Sequence, residues 1–537
     1  MKTLLMMLLS FLAFNCEPIF ANTYYVDNTA SGGTHVGTLA NPFNSYAQVV
    51  NKNFVTGDTI SFKCGQVFHT TVEMSEVGKA GLVINSYGTG TRPTINADST
   101  CTPVDFGVNT GTNHVTFNGI RIIHGYPANV SMYRCSYITF ESCNIESNCG
   151  YGIGTTGNPN CMYSGLGDHL TVRNSTLSYS SGGNGVYVDG TDDCLFEYDT
   201  LYNNLHDGFR IAGGDDLAST LRLTVRYCVI KYNHNAQIEN SGAKDSYFYY
   251  NLIITNPNNV PYDEASGIKL HDQGLGFYPM NCYFYNNTII TNRNYNNEIP
   301  AIRIQPTSNI TNIVFQNNII YSSNPKQYMQ YWQQVRGDGA ISSYIFTNNL
   351  YYQPSPNTNL FTIWSPLANN GTYTTLSSWQ STTGYESNSI WGVPLFTDTT
   401  NGVYALQSGS PACTTGVNVG LTKDILGNTV PSTNISMGCY QYTTSVSPPI
   451  LSAPFNGATN IYITVSFSWS AVAGATSYGY LIERYYNGTW SVVFAGTQSG
   501  TTLIKTMPLN NTYYRWSVNT NGGTYSSYYY FTNLTCN

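Results

Sequence analysis

One short pattern recurs through the middle of this 537-residue chain: an aromatic or aliphatic residue is followed five positions later by another, often with asparagine between. The leading residues are Phe117, Phe140, Val172, Phe196, Val225, Phe248, Phe284, Phe315 and Phe346. Their partners are Ile122, Ile145, Leu177, Leu201, Ile230, Ile253, Ile289, Ile320 and Tyr351. Successive leading residues stand 23, 32, 24, 29, 23, 36, 31 and 31 positions apart. A fixed motif at a variable interval is what stacked coils produce, because each turn lends short strands to shared sheets and loops absorb the differences in length. A single coil cannot bury its inward side chains, whereas stacking at about 4.8 Å per coil closes a continuous core. An antiparallel sandwich also uses short strands but does not hold this register. The expected fold is all-β, a right-handed parallel β-helix. Asn286, Asn287, Asn317, Asn318, Asn348 and Asn349 follow the leading residues at turns, where their amides can bond up a ladder.

The surface of such a solenoid explains an odd composition. Only 22 Lys+Arg and 29 Asp+Glu are present, 9% of the chain, against roughly 25% in ordinary soluble domains. Asn, Ser, Thr, Gly and 45 Tyr take their place, residues that suit pleated strands and tight turns. The net charge of -7 excludes general nucleic-acid binding, which needs a basic face for phosphates. Highly charged disorder and long coiled coil are excluded as well.

Lys2, the apolar run from Leu4 to Phe14 and the small residue Ala21 read as a signal peptide over 1–21, so the mature protein is expected outside the cytoplasm, secreted, periplasmic or at the cell surface. No later run is long enough to span a membrane. Cleavage would leave twelve cysteines in an oxidising compartment, where disulfides are expected; Cys149 with Cys161 is a plausible local bridge, and other cysteines fall at inward positions. Residues 22–442 form the solenoid, 443–449 a Ser/Thr/Pro linker, and 450–537 a small β-sandwich.

The opening residues Tyr24-Tyr25-Val26-Asp27, Asn41-Pro42-Phe43 and Gly57-Asp58-Thr59-Ile60 resemble those of secreted right-handed β-helix proteins. The closing residues from Leu406 to Ala412, Asp424 to Gly427 and Gly438 to Tyr442 do so too. That group holds many polysaccharide lyases and some glycoside hydrolases, and the resemblance implies fold and secretion rather than one reaction. The terminal segment, with Phe467-Ser468-Trp469 and Tyr514-Arg515-Trp516, resembles a fibronectin type III domain, Leu509 and Tyr514 standing where that family has a packed leucine and a tyrosine corner.

A second strand recurs in five coils: Val186 to Asp189, Phe209 to Ala212, Ala236 to Glu239, Ile268 to His271 and Ile302 to Gln305. Aligned so, alternation turns two columns outward: Tyr187, Arg210, Gln237, Lys269, Arg303 and Asp189, Ala212, Glu239, His271, Gln305. Three cations in one column repel, and an anionic ligand such as a polyuronate would compensate them. The alternative is a solvated face neutralised by Glu239, Asp207 and Glu298. In a β-elimination Lys269 would be the base, since Arg303 disfavours its charged form, with Arg303 or Arg210 neutralising the carboxylate and His271 or Tyr187 serving the leaving group. Tyr187, Gln237 and Glu239 are the expected substrate contacts. Asp192-Asp193 and Asp215-Asp216 fall at matching offsets in successive coils and could hold calcium, or splay apart as two Asp-rich turns.

His206-Asp207-Gly208-Phe209-Arg210 resembles the calcium motif of family nine pectate lyases without its first and last carboxylates. Gln237 to Lys244 followed by Gly267 to Asp272 resembles the lysine and Arg-His-Gly layout of β-helix alginate and chondroitin lyases, with His271 near the arginine position. Gly214-Asp215-Asp216 and Arg303-Ile304-Gln305 resemble two polygalacturonase motifs, without the third. The expectation is a monomeric lyase of an anionic, uronate-containing polysaccharide. Alternatives are a hydrolase using Asp189, Asp215 and Asp216, and a non-catalytic glycan binder. Tyr328, Tyr331 and Trp332 could wall a groove.

Overall fold

The computed structural model describes residues 21–74, 81–106, 113–148, 160–212, 218–257, 265–272, 276–291, 300–305, 309–323, 329–333, 343–354, 360–364, 371–442, 448–472, 475, 477–520 and 523–534. Residues 1–20 of the expected signal peptide, Cys149, Asp215, Asp216, Glu298 and Tyr328 lie outside these residues, as do the side chains of Tyr331 and Trp332. The chain divides into two compact units between Tyr442 and Thr443.

The first unit is a right-handed parallel β-helix of three sheets with 13, 12 and 11 strands. All nine leading residues of the repeat stack in one column of the first sheet, Phe117 on Phe140 and so on to Phe346. Their partners Ile122 through Tyr351 stack in the second sheet. Where successive coils both place phenylalanine, the rings lie parallel, with centroids 4.4 Å apart for Phe284 and Phe315 and 4.8 Å for Phe315 and Phe346. The ring spacing is thus the coil spacing, so the core is filled by one residue type repeating at the strand-to-strand distance.

Asparagine at the turn joins these sheets. Asn251, Asn287, Asn318 and Asn349 are buried, and each of the first three donates its amide to the next at 3.0–3.1 Å, while Asn349 donates to Glu386 at 3.0 Å. Their neighbours Asn286, Asn317 and Asn348 take the left-handed conformation that turns the chain, with φ of 52°, 60° and 52°. The short helix Tyr46–Val50 buries Tyr46 and Val49 against the first coils. Residues 396–442 pack Phe396, Tyr404, Met437 and Cys439 onto Tyr250, Ile290, Ile319 and Leu350, outer residues of the second sheet.

The ten described cysteines are all unbridged, and nine are buried, which corrects the expectation of disulfides among them. The reason is the stacking: Cys143, Cys194, Cys228 and Cys282 occupy inward positions on separate coils, where the thiol packs as a small hydrophobe and donates to backbone carbonyls. Among the described residues no helix is long and apolar enough to cross a membrane.

The second unit has a three-stranded and a five-stranded sheet around Phe467, Trp469, Ile482, Tyr514, Trp516 and Phe531. The Tyr514 hydroxyl donates to the Leu509 carbonyl at 3.0 Å and accepts from its N–H at 3.2 Å. Leu509 contributes this backbone rather than a packed side chain, which stands 39% exposed.

Candidate functional site

Five strands of the third sheet carry the charged residues: β1 (Val186–Asp189), β2 (Phe209–Ala212), β3 (Ile238–Asn240), β4 (Ile268–Leu270) and β5 (Ile302–Ile304). Each opens on an apolar residue that enters the core, Val186, Phe209, Ile238, Ile268 or Ile302. Alternation then turns the second residue to the opposite face. The register stacks Tyr187, Arg210, Glu239, Lys269 and Arg303 in that column.

The third coil is therefore displaced by two residues from the sequence alignment. Glu239, not Gln237, stands between Arg210 and Lys269, so the cations are interrupted by one carboxylate. Gln237 is fully buried at the corner, where its carbonyl oxygen accepts from Asn233 at 2.9 Å and its amide donates to the Asn233 carbonyl at 3.0 Å. It ends a second amide ladder, at the corner after the second sheet, in which Asn204 donates to Asn233 at 2.8 Å and Asn233 to Gln237, and its expected role as a substrate contact is corrected. In the second column Asp189 pairs with Ala212, and Ser241 follows, bonding the Ile211 carbonyl through its N–H, where Glu239 was expected; His271 and Gln305 continue the row.

Glu239 is 1% exposed and faces two cations and an imidazole. Its Oε1 lies 2.8 Å from His271 Nε2 and 3.5 Å from an Arg210 nitrogen, and its Oε2 3.7 Å from Lys269 Nζ. Burial works to raise its pKa, but the His271 hydrogen bond and the charges of Arg210 and Lys269 outweigh it and hold the carboxyl well below its usual range. The Lys269 side chain, the base expected from sequence, is 2% exposed, so it is neither a solvated surface lysine nor open to a substrate but half of a buried ion pair.

A second carboxylate, Asp207, is fully buried beside the column. Its Oδ1 accepts from Asn235 and from the Ala236 N–H, both at 2.9 Å, and its Oδ2 lies 2.8 Å from His206 Nδ1 and 3.9 Å from Arg210. Burial, then the Glu239 charge, pushes Asp207 up to about 6. Burial disfavours charge on His206, yet the hydrogen bond and charge of Asp207 prevail, and the imidazole pKa is raised. His206 Nδ1 also meets Asn184 Oδ1 at 3.1 Å, so both of its neighbours accept and the other nitrogen, Nε2, is left for chemistry. The His206 side chain is 38% exposed and that of Arg210 24%, which makes these two the accessible edge of the cluster. Tyr187 is buried, with Arg210 5.6 Å from its ring centre. In sequence His206 and Asp207 stand out as remnants of a calcium motif and Asp207 as a neutralising charge, not as a pair; the signal for their pairing is adjacency to Gly208, just before β2.

Of the four expected calcium ligands, Asp192 and Asp193 lie among the described residues, and both meet Arg222. Asp193 takes Arg222 in a two-pronged pair at 2.6 and 2.7 Å, and Asp192 accepts from the Leu221 N–H at 2.8 Å with Arg222 at 3.6 Å. The guanidinium supplies the positive charge, so this pair does not fit an oxygen shell for calcium. Among the described residues no group of three or more His, Cys, Asp or Glu is placed to hold a metal.

The family described as right handed beta helix region matches residues 163–350, the coils that carry this site. No curated protein matches. Solved structures similar to the chain include a GH136 lacto-N-biosidase from Eubacterium ramulus, 13% identical over 69% of this chain and 68% of that one with a TM-score of 0.45. An alginate lyase from Paenibacillus sp. str. FPU-7 is 12% identical over 66% of this chain and 99% of its own, with a TM-score of 0.34. A periplasmic alginate epimerase is 11% identical over 63% of this chain and 78% of its own, with a TM-score of 0.31.

Proposed function

We propose that this chain is a secreted polysaccharide lyase that cleaves an anionic, uronate-containing polymer by β-elimination. The observation that carries the reading is the third-sheet column, where Arg210, Lys269 and Arg303 face a single intervening carboxylate in a chain of net charge -7. A uronate carboxylate meeting Arg210 gains two parallel hydrogen bonds and completes the charge balance. The bound carboxylate's neighbouring C–H is thereby acidified, and His206 Nε2, neutral above its pKa, takes that proton. The electron pair forms a carbon–carbon double bond, the glycosidic oxygen leaves, and His271 or the Tyr187 hydroxyl returns a proton to it. Lys269 and Arg303 add positive potential from within the protein, where the effective dielectric is lower than in water.

Asp207 and Glu239 favour a second reading, because their environments drive one carboxyl up and the other down, as an acid and its partner base require in a glycoside hydrolase. The test is incubation of the full chain with pectate, alginate and glycosaminoglycans, with and without calcium. Ultraviolet-absorbing unsaturated ends, with kcat/KM reduced about 100-fold in Arg210→Ala, are the expected result. New reducing ends without that absorbance assign the hydrolase, and binding without either product assigns a non-catalytic glycan binder.

A further inference from the structure

Beside the charged column the solenoid carries a groove of about 290 Å³ that no step above uses. Its walls come from the corner after the second sheet. There the strands Thr176–Ser178, Thr200–Tyr202 and Val229–Lys231 stack in register, and the residue that follows each, Tyr179, Asn203 or Tyr232, takes the left-handed conformation at φ 57°, 54° and 58°. The two tyrosines are two coils apart, so their backbones stand roughly 9.6 Å apart, and the short Asn203 leaves the space between them open. A flat ring touching both walls at van der Waals distance needs roughly 7–8 Å between them. Tyr179 is braced edge-on by Tyr202 with ring centres 5.1 Å apart, which holds its wall in place. Leu205, His234 and Asn256 also line the groove, and no Lys, Arg, Asp or Glu does.

The groove adjoins the site through the chain itself. Leu205 lines the one and His206 belongs to the other; His234 lines the one and Asn235 holds Asp207 in the other at 2.9 Å. We propose that this groove is a subsite for an uncharged pyranose, and that the polymer cut at Arg210 and His206 alternates a uronate with a neutral sugar rather than being a polyuronate. The inference rests on the lyase reading for its uronate half. Two aromatic walls recognise the apolar faces of a sugar ring, and the amide and hydroxyl groups of Asn203, Asn256 and Ser181 recognise its rim; the lining offers no cation to a second carboxylate, the nearby Lys231 ammonium being held over the Tyr232 and Tyr202 rings at 5.6 and 5.9 Å.

The test is affinity electrophoresis of the full chain in gels containing unsulfated chondroitin, which alternates uronate with an uncharged hexosamine, or polygalacturonate, which does not. The expected result is tighter binding to the alternating polymer, lost by about tenfold in Tyr179→Ala/Tyr232→Ala while polygalacturonate binding changes less than about twofold. Asn203→Tyr, which fills the slot with a side chain its neighbours already accommodate in that conformation, should abolish the preference as well. Equal affinity for the two polymers, an equal drop for both in the double variant, or no binding to either overturns the subsite. Because binding is read without cleavage, preferential binding with no unsaturated product refutes the lyase reading and leaves the subsite standing; cleavage indifferent to both tyrosines does the reverse.

Discussion

Replacing Glu239 by Gln removes one charge from a place where Arg210, Lys269 and the His271 imidazole converge on it within 3.7 Å. At an effective dielectric of about 20, each close ion pair is worth about 4 kcal/mol of Coulomb attraction, and measured losses on breaking a buried pair are about 3–5 kcal/mol after relaxation. The larger part of that loss falls on Lys269, which loses this carboxylate and, at 1% exposed, cannot turn to water. Unfolding entropy near 2.1 cal/mol/K per residue over the roughly 420 residues of the solenoid converts the loss to a melting temperature lower by roughly 3–6 °C. The decisive measurement is the double variant Glu239→Gln/Lys269→Met, followed by circular dichroism on heating. If Glu239 exists to balance Lys269, removing both recovers about 2 kcal/mol or more of the single-variant loss. Strictly additive losses, with Lys269→Met costing the same whether or not Glu239 is present, would refute the pairing and with it the account of why the column is buried.

Asp207, whose carboxyl is held at about 6 against an ordinary 3.8, binds its proton more tightly folded than unfolded, so stability falls as pH rises between about 4 and 6 and is level above. Asp207→Asn should remove that slope, worth roughly 3 kcal/mol, and should move the acid limb of the activity profile, set by His206, to lower pH; unchanged melting curves across this range would count against the assignment. Glu239 acts in the opposite sense, its stabilisation being complete above about 4.5 and lost only as pH falls through its depressed folded value. Asn287→Ala breaks the amide ladder between Asn251 and Asn318 and should cost about 1–3 kcal/mol in chemical denaturation, whereas Asn401→Ala, on an exposed bond to Asp398, should cost under about 1 kcal/mol. Maleimide labelling of the folded chain should, among the described cysteines, reach Cys64 first, the buried thiols reacting only after denaturation; disulfide-linked peptides among those ten would contradict the packing.

The first two sheets were legible in the sequence because their inward positions admit one kind of residue. At Phe284 and Phe315, or Ile289 and Ile320, a slip of even one coil residue would expose a large apolar side chain, and the five-residue interval fixes both sheets at once. The third sheet lacks that lock. Ala236-Gln237-Ile238-Glu239 alternates as well as Ile238-Glu239-Asn240-Ser241, and a two-residue slip keeps every side chain on its own face, so periodicity alone cannot choose. What chooses is the corner: Gly185, Gly208, Gln237 and Gly267 occupy one backbone position, each accepting a hydrogen bond from the strand residue of the preceding coil. At Gly208 a side chain would stand 2.6 Å from the Asn233 amide, whereas at the next coil Gln237 itself becomes the amide's partner. A glutamine doing the work of a glycine concealed the register, and the same slip concealed Glu239 between its cations. The charge balance of the site thus depends on a polar residue buried at a turn, which is why the carboxylate inside the cationic column was hidden in the sequence and partly neutralises it in the fold. A ligand bound there meets three cations against one internal carboxylate, so it needs to supply about two negative charges over the four steps from Tyr187 to Arg303, the spacing that uronates alternating with an uncharged sugar provide.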